Sequence, residues 1–199
     1  MITKKYDNKD SWLADRVGRI TGTKLKDLIV KRGTGKKIGF YQLIADRLAT
    51  EPDGENAMDR GVRLEEAGMT EFIKETKKEV DTSLLMWVRE DNQSIAYSPD
   101  GVIGETEAVE VKCLSSARHI EALVTMKVPK DYEDQVLQAF IVNDKLERLY
   151  LVFYDDRLLT KQCFYLTVER DQEKVDEYLE QERAILAEVD EWVSKLGDF

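Results

Sequence analysis

Residues 98–113 read Ser98-Pro99-Asp100-Gly101-Val102-Ile103-Gly104-Glu105-Thr106-Glu107-Ala108-Val109-Glu110-Val111-Lys112-Cys113, and this stretch decides the reading of the chain. Pro-Asp-Gly marks a turn, whereas Ala108–Val111 is short, apolar and β-branched, the composition of a strand. Alternation along that strand puts Glu110 and Lys112 on one face. It turns Val111 toward the core and leaves the Val111 backbone carbonyl as a hard oxygen donor. Asp100 and Glu110, with nine residues between them, and a lysine alongside are the minimal kit for metal-assisted phosphodiester cleavage. A carboxylate-held Mg²⁺ helps activate water, neutralise a non-bridging oxygen and stabilise the leaving oxygen. Taken singly, Pro-Asp-Gly is usually a plain turn and Glu-Val-Lys a half-exposed strand with a cross-strand salt bridge. The pair at this spacing is far more specific than either half.

On the amino-terminal side, helix-like spacing runs near 10–16, 22–31, 38–49 and 57–78, with Thr21 or Thr23 able to cap the second helix and Gly33 and Gly35 ending it. The segments Leu84–Val88 and Ser94–Tyr97 read as strands of the same sheet as Ala108–Val111, with Asp91-Asn92 and Asp100-Gly101 as the turns between them. Beyond it, Ser115 and Ser116 are caps for a helix over 116–125, and Pro129 suits the first turn of another over 130–143. Leu149–Tyr154 and Gln162–Val168 are two more strands, followed by a long acidic helix over 171–196. This order predicts an α/β fold, a mixed central β-sheet flanked by helices, with a helical N-terminal third. At 199 residues the expectation is one domain: residues 1–80 mainly helical, 83–168 the sheet core and 171–196 the C-terminal helix. Gly33-Thr-Gly-Lys-Lys-Ile-Gly39 is not a nucleotide loop, because Lys37 stands where a Walker motif needs Ser or Thr and no strong strand precedes it.

The chain is 42% hydrophobic and 35% charged, and no apolar run approaches the roughly 18 residues of a membrane span. Nor does the opening Met-Ile-Thr-Lys-Lys-Tyr carry the apolar stretch of a signal peptide, so a cytoplasmic protein is expected. Cys113 and Cys163 lack paired metal spacing, which argues against zinc and iron–sulfur ligation and reads as two buried thiols. The single histidine, His119, gives little support to histidine-based catalysis and reads as a helix-surface residue. A net charge of −10 sits poorly with nucleic acid until its distribution is read. Residues 1–50 hold twelve Lys/Arg against five Asp/Glu, a local +7, enough for a phosphate-binding face, although a merely solvated surface has the same composition. Trp12, Trp87 and Trp192 supply packing, with Trp12 also near enough to Arg16 in sequence to shape a binding pocket.

The motifs together resemble the λ-exonuclease-like (YqaJ-type viral recombinase) branch of the PD-(D/E)XK nucleases, whose core is restriction-endonuclease-like. Ser98-Pro-Asp-Gly101 followed by Glu110-Val-Lys112 resembles the metal-binding core. Trp12 with Arg16-Val-Gly-Arg-Ile-Thr-Gly-Thr23 resembles the amino-terminal motif, Arg60-Gly-Val-Arg-Leu-Glu65 the glutamate helix, and Val128-Pro-Lys-Asp-Tyr132-Glu-Asp-Gln135 the Tyr/Gln helix. The resemblance implies that Asp100, Glu110 and the Val111 carbonyl ligate Mg²⁺ and that Lys112 orients or deprotonates the attacking water or steadies the phosphate. It further implies a ligand from Glu65 toward a second ion, with Mn²⁺ able to substitute, and support from Gln135 and Tyr132. Gly68 stands where the family often has Ala three residues after this glutamate, and Glu66 competes with Glu65 for the inward position. A 5′-phosphate would be held by Arg16, whose planar fork matches phosphate oxygens, with Thr21, Thr23 and Ser98 nearby.

On this resemblance the expected function is 5′-to-3′ digestion of one strand of linear double-stranded DNA, leaving 3′ single-stranded tails for phage-type homologous recombination. It implies double-stranded DNA ends as substrate, a trimeric ring, a single-strand-annealing protein as partner and a phage or prophage gene expressed in a bacterial cytoplasm. The rivals are a PD-(D/E)XK endonuclease, a DNA-repair nuclease of other polarity, and an inactive DNA-binding module that kept the fold.

Overall fold

A computed structural model describes residues 8, 11, 37–48 and 57–197; the helices expected near 10–16 and 22–31 lie outside the described residues. Helix α1 spans Ile38–Leu48 and α2 spans Ala57–Thr76. Lys77 ends α2 in the left-handed conformation (φ 58°), its N–H donating to the Ile73 carbonyl at 2.8 Å, a position that glycine usually takes. Strands β1 (Trp87–Val88), β2 (Ala96–Tyr97), β3 (Gly101–Ile103) and β4 (Glu107–Lys112) follow. Helices α3 (Ser116–Thr125) and α4 (Lys130–Val142), strands β5 (Arg148–Tyr154) and β6 (Cys163–Glu169), and helix α5 (Gln172–Gly197) complete the order.

Strands β3-β4-β5-β6 form one sheet in that order, and it is mixed. β3 and β4 are antiparallel, Gly101 opposite Val109 and Ile103 opposite Glu107. The Thr106 carbonyl, entering β4, accepts from Glu147 and Arg148 N–H groups entering β5, so those two strands run the same way. β5 and β6 are joined at opposite ends, by Asp155 N–H to the Gln162 carbonyl and Arg170 N–H to the Glu147 carbonyl, the pattern of an antiparallel pair. Two expectations change here. β1 and β2 pair with each other in a separate two-stranded sheet, and Asp100-Gly101 is a strand entrance rather than a turn. The reversal falls at Gly104 (φ 59°), where absence of Cβ permits the positive φ. Leu84 and Met86 are exposed; their β-like composition finds no partner and the strand shrinks to Trp87–Val88.

The described residues gather into two compact units. One holds α1, α2 as far as Glu71, residues 112–127 and residues 153–164. Here Tyr41 and Ala45 of α1 pack with Ala117 and Ile120 of α3 and with Leu158. Ser115 caps α3, its side chain accepting the Arg118 N–H at 3.4 Å. His119 is fully buried, not a surface residue. Its ring meets Phe164 edge-on at 4.9 Å, and Nε2 donates to the Lys161 carbonyl at 3.0 Å, so the ring's apolar body and its Nε2–H are both accommodated. Cys113 and Cys163 are half-buried rather than buried.

The other unit holds Phe72–Val111, Val128–Val152 and the chain from Tyr165. Its core centres on Phe72, fully buried, whose ring meets Tyr150 and Tyr165 at 5.3 Å each. Glu107, entering β4, accepts Lys78 Nζ at 2.7 Å, Arg148 Nη1 at 2.7 Å and the Tyr150 hydroxyl at 3.1 Å. At the end of α4, Arg170 Nη1 donates to the Phe140, Asn143 and Leu146 carbonyls at 2.8, 3.1 and 3.3 Å, meeting acceptors that a helix terminus leaves unpaired.

Candidate active site

β4 is covered on both faces: Ala108, Val109, Glu110 and Val111 are all buried. A carboxylate in such a strand needs donors, since an unpaired buried charge is costly. Glu110, only 3% exposed, has one on each oxygen. Gln135 Nε2, from α4, donates to Oε1 at 2.5 Å, and the Tyr97 hydroxyl, from β2, donates to Oε2 at 2.5 Å. α4 packs against β2, which brings the two donors to the same carboxylate. Both are neutral, so they orient the group without cancelling its charge.

Asp100 brackets Glu110 along the backbone. Its N–H donates to the Val109 carbonyl at 3.1 Å, and its Oδ2 accepts the Val111 N–H at 2.7 Å. In an antiparallel ladder a residue's N–H and C=O project to the same edge of the strand. The Val111 carbonyl therefore faces the edge of β4 on which Asp100 lies. Asp100 and the Val111 carbonyl thus share one edge of β4, with Glu110 between Val109 and Val111 in the chain, and hard oxygens of this kind suit Mg²⁺, which takes few protein ligands and keeps several waters. Among the described residues no group of three or more His, Cys, Asp or Glu is arranged to hold a metal ion.

Lys112 follows Glu110 by two residues on β4 and is half-buried; strand alternation places it on the Glu110 face. Tyr132, half-buried, precedes Gln135 by almost one turn of α4. Ser98 is exposed beside a buried Pro99. Glu65 and Glu66 are both exposed on α2, with Gly68 buried, and these three, like Lys112, belong to the compact unit that holds α1, whereas Asp100, Glu110 and Gln135 belong to the other. Arg16, Thr21, Thr23 and Trp12 lie outside the described residues.

Tyr97 is the site residue that the sequence did not single out. It is 7% exposed and stacks at a tilt on Trp87, its partner in the β1–β2 register, with centroids 6.1 Å apart. Burial, then the Glu110 charge, push its hydroxyl pKa far up, so it stays a proton donor. The available signal was a tyrosine in a short strand three residues before Asp100, since a buried phenol needs a partner for its hydroxyl.

Known proteins share this fold. The YqaJ-like viral recombinase domain matches residues 11–146. No curated protein matches the sequence. Among solved structures, the alkaline exonuclease LHK-Exo from Laribacter hongkongensis superposes with a TM-score of 0.68 at 28% identity, over 96% of this chain and 97% of that one. LHK-Exo in complex with dAMP gives 0.65 at 29%, over 94% and 96%. A phage-related exonuclease from Haemophilus somnus shares the fold, with a TM-score of 0.53 at 14% identity over 74% and 76% of the chains. With about two thirds of its length matched, bearing every motif from Arg16 to Gln135, the chain belongs to the YqaJ-like viral recombinase domain family.

Proposed function

We propose that this chain is a Mg²⁺-dependent exonuclease that degrades one strand of linear double-stranded DNA from its 5′ end, leaving 3′ single-stranded tails for recombination. The observation that carries the reading is the bracketing of Glu110 along the backbone by Asp100, on the edge of β4 that the Val111 carbonyl faces. Family membership and the likeness to LHK-Exo, a protein also solved with dAMP, support a nuclease acting on DNA.

Asp100, Glu110 and the Val111 carbonyl would hold Mg²⁺, with Glu65 toward a second ion and Mn²⁺ as a substitute. The metal's contribution when bound is to acidify water and neutralise charge on the phosphate. Gln135 and Tyr97 keep Glu110 in one orientation, and Tyr132 supports that face of α4. Lys112 would orient or deprotonate the attacking water, or steady the scissile phosphate. Arg16, with Thr21, Thr23 and Ser98, would grip a terminal 5′-phosphate and so set direction. A ring of three subunits around the duplex would retain DNA between cuts, and a single-strand-annealing protein would take up the tail. The setting is a bacterial cytoplasm and a phage or prophage gene; among the described residues no helix is long and apolar enough to cross a membrane.

The test uses linear duplexes labelled at either end, with and without a 5′-phosphate, beside a covalently closed circle. Mg²⁺-dependent loss of label from phosphorylated 5′ ends, abolished by EDTA and absent on the circle, is the expected result. Cleavage of the circle would favour an endonuclease, release from 3′ ends the opposite polarity, and no digestion with any divalent metal an inactive module.

A further inference from the structure

Resting on the proposed metal-dependent reaction, we infer that Tyr97 is a positioning residue for Glu110 and that the β1–β2 sheet, through Trp87, tunes how tightly the site takes a divalent cation. A carboxylate on a strand can rotate about its last side-chain torsions, which are broad and roughly two-fold. One donor restricts that rotation and two donors on opposite oxygens stop it. Gln135 and Tyr97 occupy Oε1 and Oε2 at 2.5 Å each, so the plane of Glu110 is fixed by groups from two different elements. Short charge-assisted hydrogen bonds of this kind are the stronger class.

The two donors differ in how they are held. Gln135 sits on a 13-residue helix fastened into the core. Tyr97 sits on a two-residue strand whose partner in the ladder is the two-residue β1. Its ring is located by Trp87, whose neighbours Met86 and Val88 are exposed. An isolated two-stranded sheet is marginal by itself, so the Tyr97 side of the clamp is the adjustable one. Groups that orient a metal ligand typically change metal affinity by about 10- to 100-fold when removed. The residue is buried and polar at its tip only, and Phe keeps the ring contact with Trp87 while deleting the donor.

The experiment measures Mn²⁺ binding to the full-length chain without DNA, by calorimetry, for the wild type, Tyr97→Phe and Trp87→Leu, with thermal midpoints alongside. It also measures the Mg²⁺ concentration giving half-maximal digestion of a linear duplex. The expected result is Mn²⁺ affinity weakened about 10- to 100-fold in Tyr97→Phe and less in Trp87→Leu. The thermal midpoint of Tyr97→Phe should stay within a few degrees of wild type, and its activity should recover as Mg²⁺ is raised. Wild-type Mn²⁺ affinity in Tyr97→Phe would overturn the assignment and leave the nuclease reading standing. A wild type that binds no Mn²⁺ and digests nothing would overturn both. A Tyr97→Phe protein whose activity stays low at every Mg²⁺ concentration, with unchanged Mn²⁺ affinity, would also overturn it.

Discussion

Gln135 donates from α4 to Glu110 Oε1 at 2.5 Å, a bond between residues 25 apart in sequence. A hydrogen bond to a charged group is worth about 1.5–3 kcal/mol. Gln135→Leu should therefore lower kcat/KM on a linear duplex roughly 10- to 100-fold at fixed Mg²⁺. Gln135→Glu should cost more, because it sets a second carboxylate against the first. Steady-state kinetics on both variants checks the order.

Lys112 is the one cation among the residues assigned to the reacting centre. Lys112→Ala should reduce kcat by about 10²- to 10⁴-fold, the range of a positioned proton-transfer group, with Mn²⁺ affinity falling far less. Rapid-quench digestion combined with calorimetry separates the two. Residual activity near wild type would remove Lys112 from the mechanism.

Arg16→Ala should erase the preference for 5′-phosphorylated over 5′-hydroxyl ends, with kcat/KM on phosphorylated ends falling roughly tenfold or more. Paired initial rates on the two duplexes read this out. An unchanged preference would place the phosphate pocket elsewhere.

Acid should loosen the unit that carries Asp100 and Glu110. Burial pushes the Glu107 carboxyl up, but bonds from Lys78, Tyr150 and Arg148 and the charge of Lys78 outweigh it and hold its pKa below the usual value. A depressed folded-state pKa gives stability that is present above the unfolded pKa of about 4.3 and is lost as pH falls through the folded value. The thermal midpoint followed by circular dichroism should therefore drop below about pH 4. Glu107→Gln should lower the midpoint at neutral pH by roughly 2–4 °C, about 1 kcal/mol for partly exposed partners, and flatten the acid slope.

The elements most legible in the sequence are those whose signals are local. α3 runs over the expected residues because Ser115 caps it, and α4 begins after Pro129 because that proline suits a helix entrance. β4 was legible from Ala108–Val111, and with it the shared face of Glu110 and Lys112. What periodicity cannot carry is which strand pairs with which. The separate β1–β2 sheet, the strand character of Gly101–Ile103 and the burial of His119 against Phe164 all depend on partners distant in sequence. Tyr97 belongs with these: alternation gives a side chain its face, not the carboxylate its hydroxyl reaches.

The fork of Arg170 on the last carbonyls of α4 has a mechanical consequence. A helix rises about 1.5 Å per residue, so Gln135 lies roughly 7.5 Å along a stiff rod from the carbonyl of Phe140, where that rod is bolted. Slack at the bolt would be delivered as misalignment at Glu110. The sharpness of the chemistry thus depends on an arginine that touches none of the reacting groups.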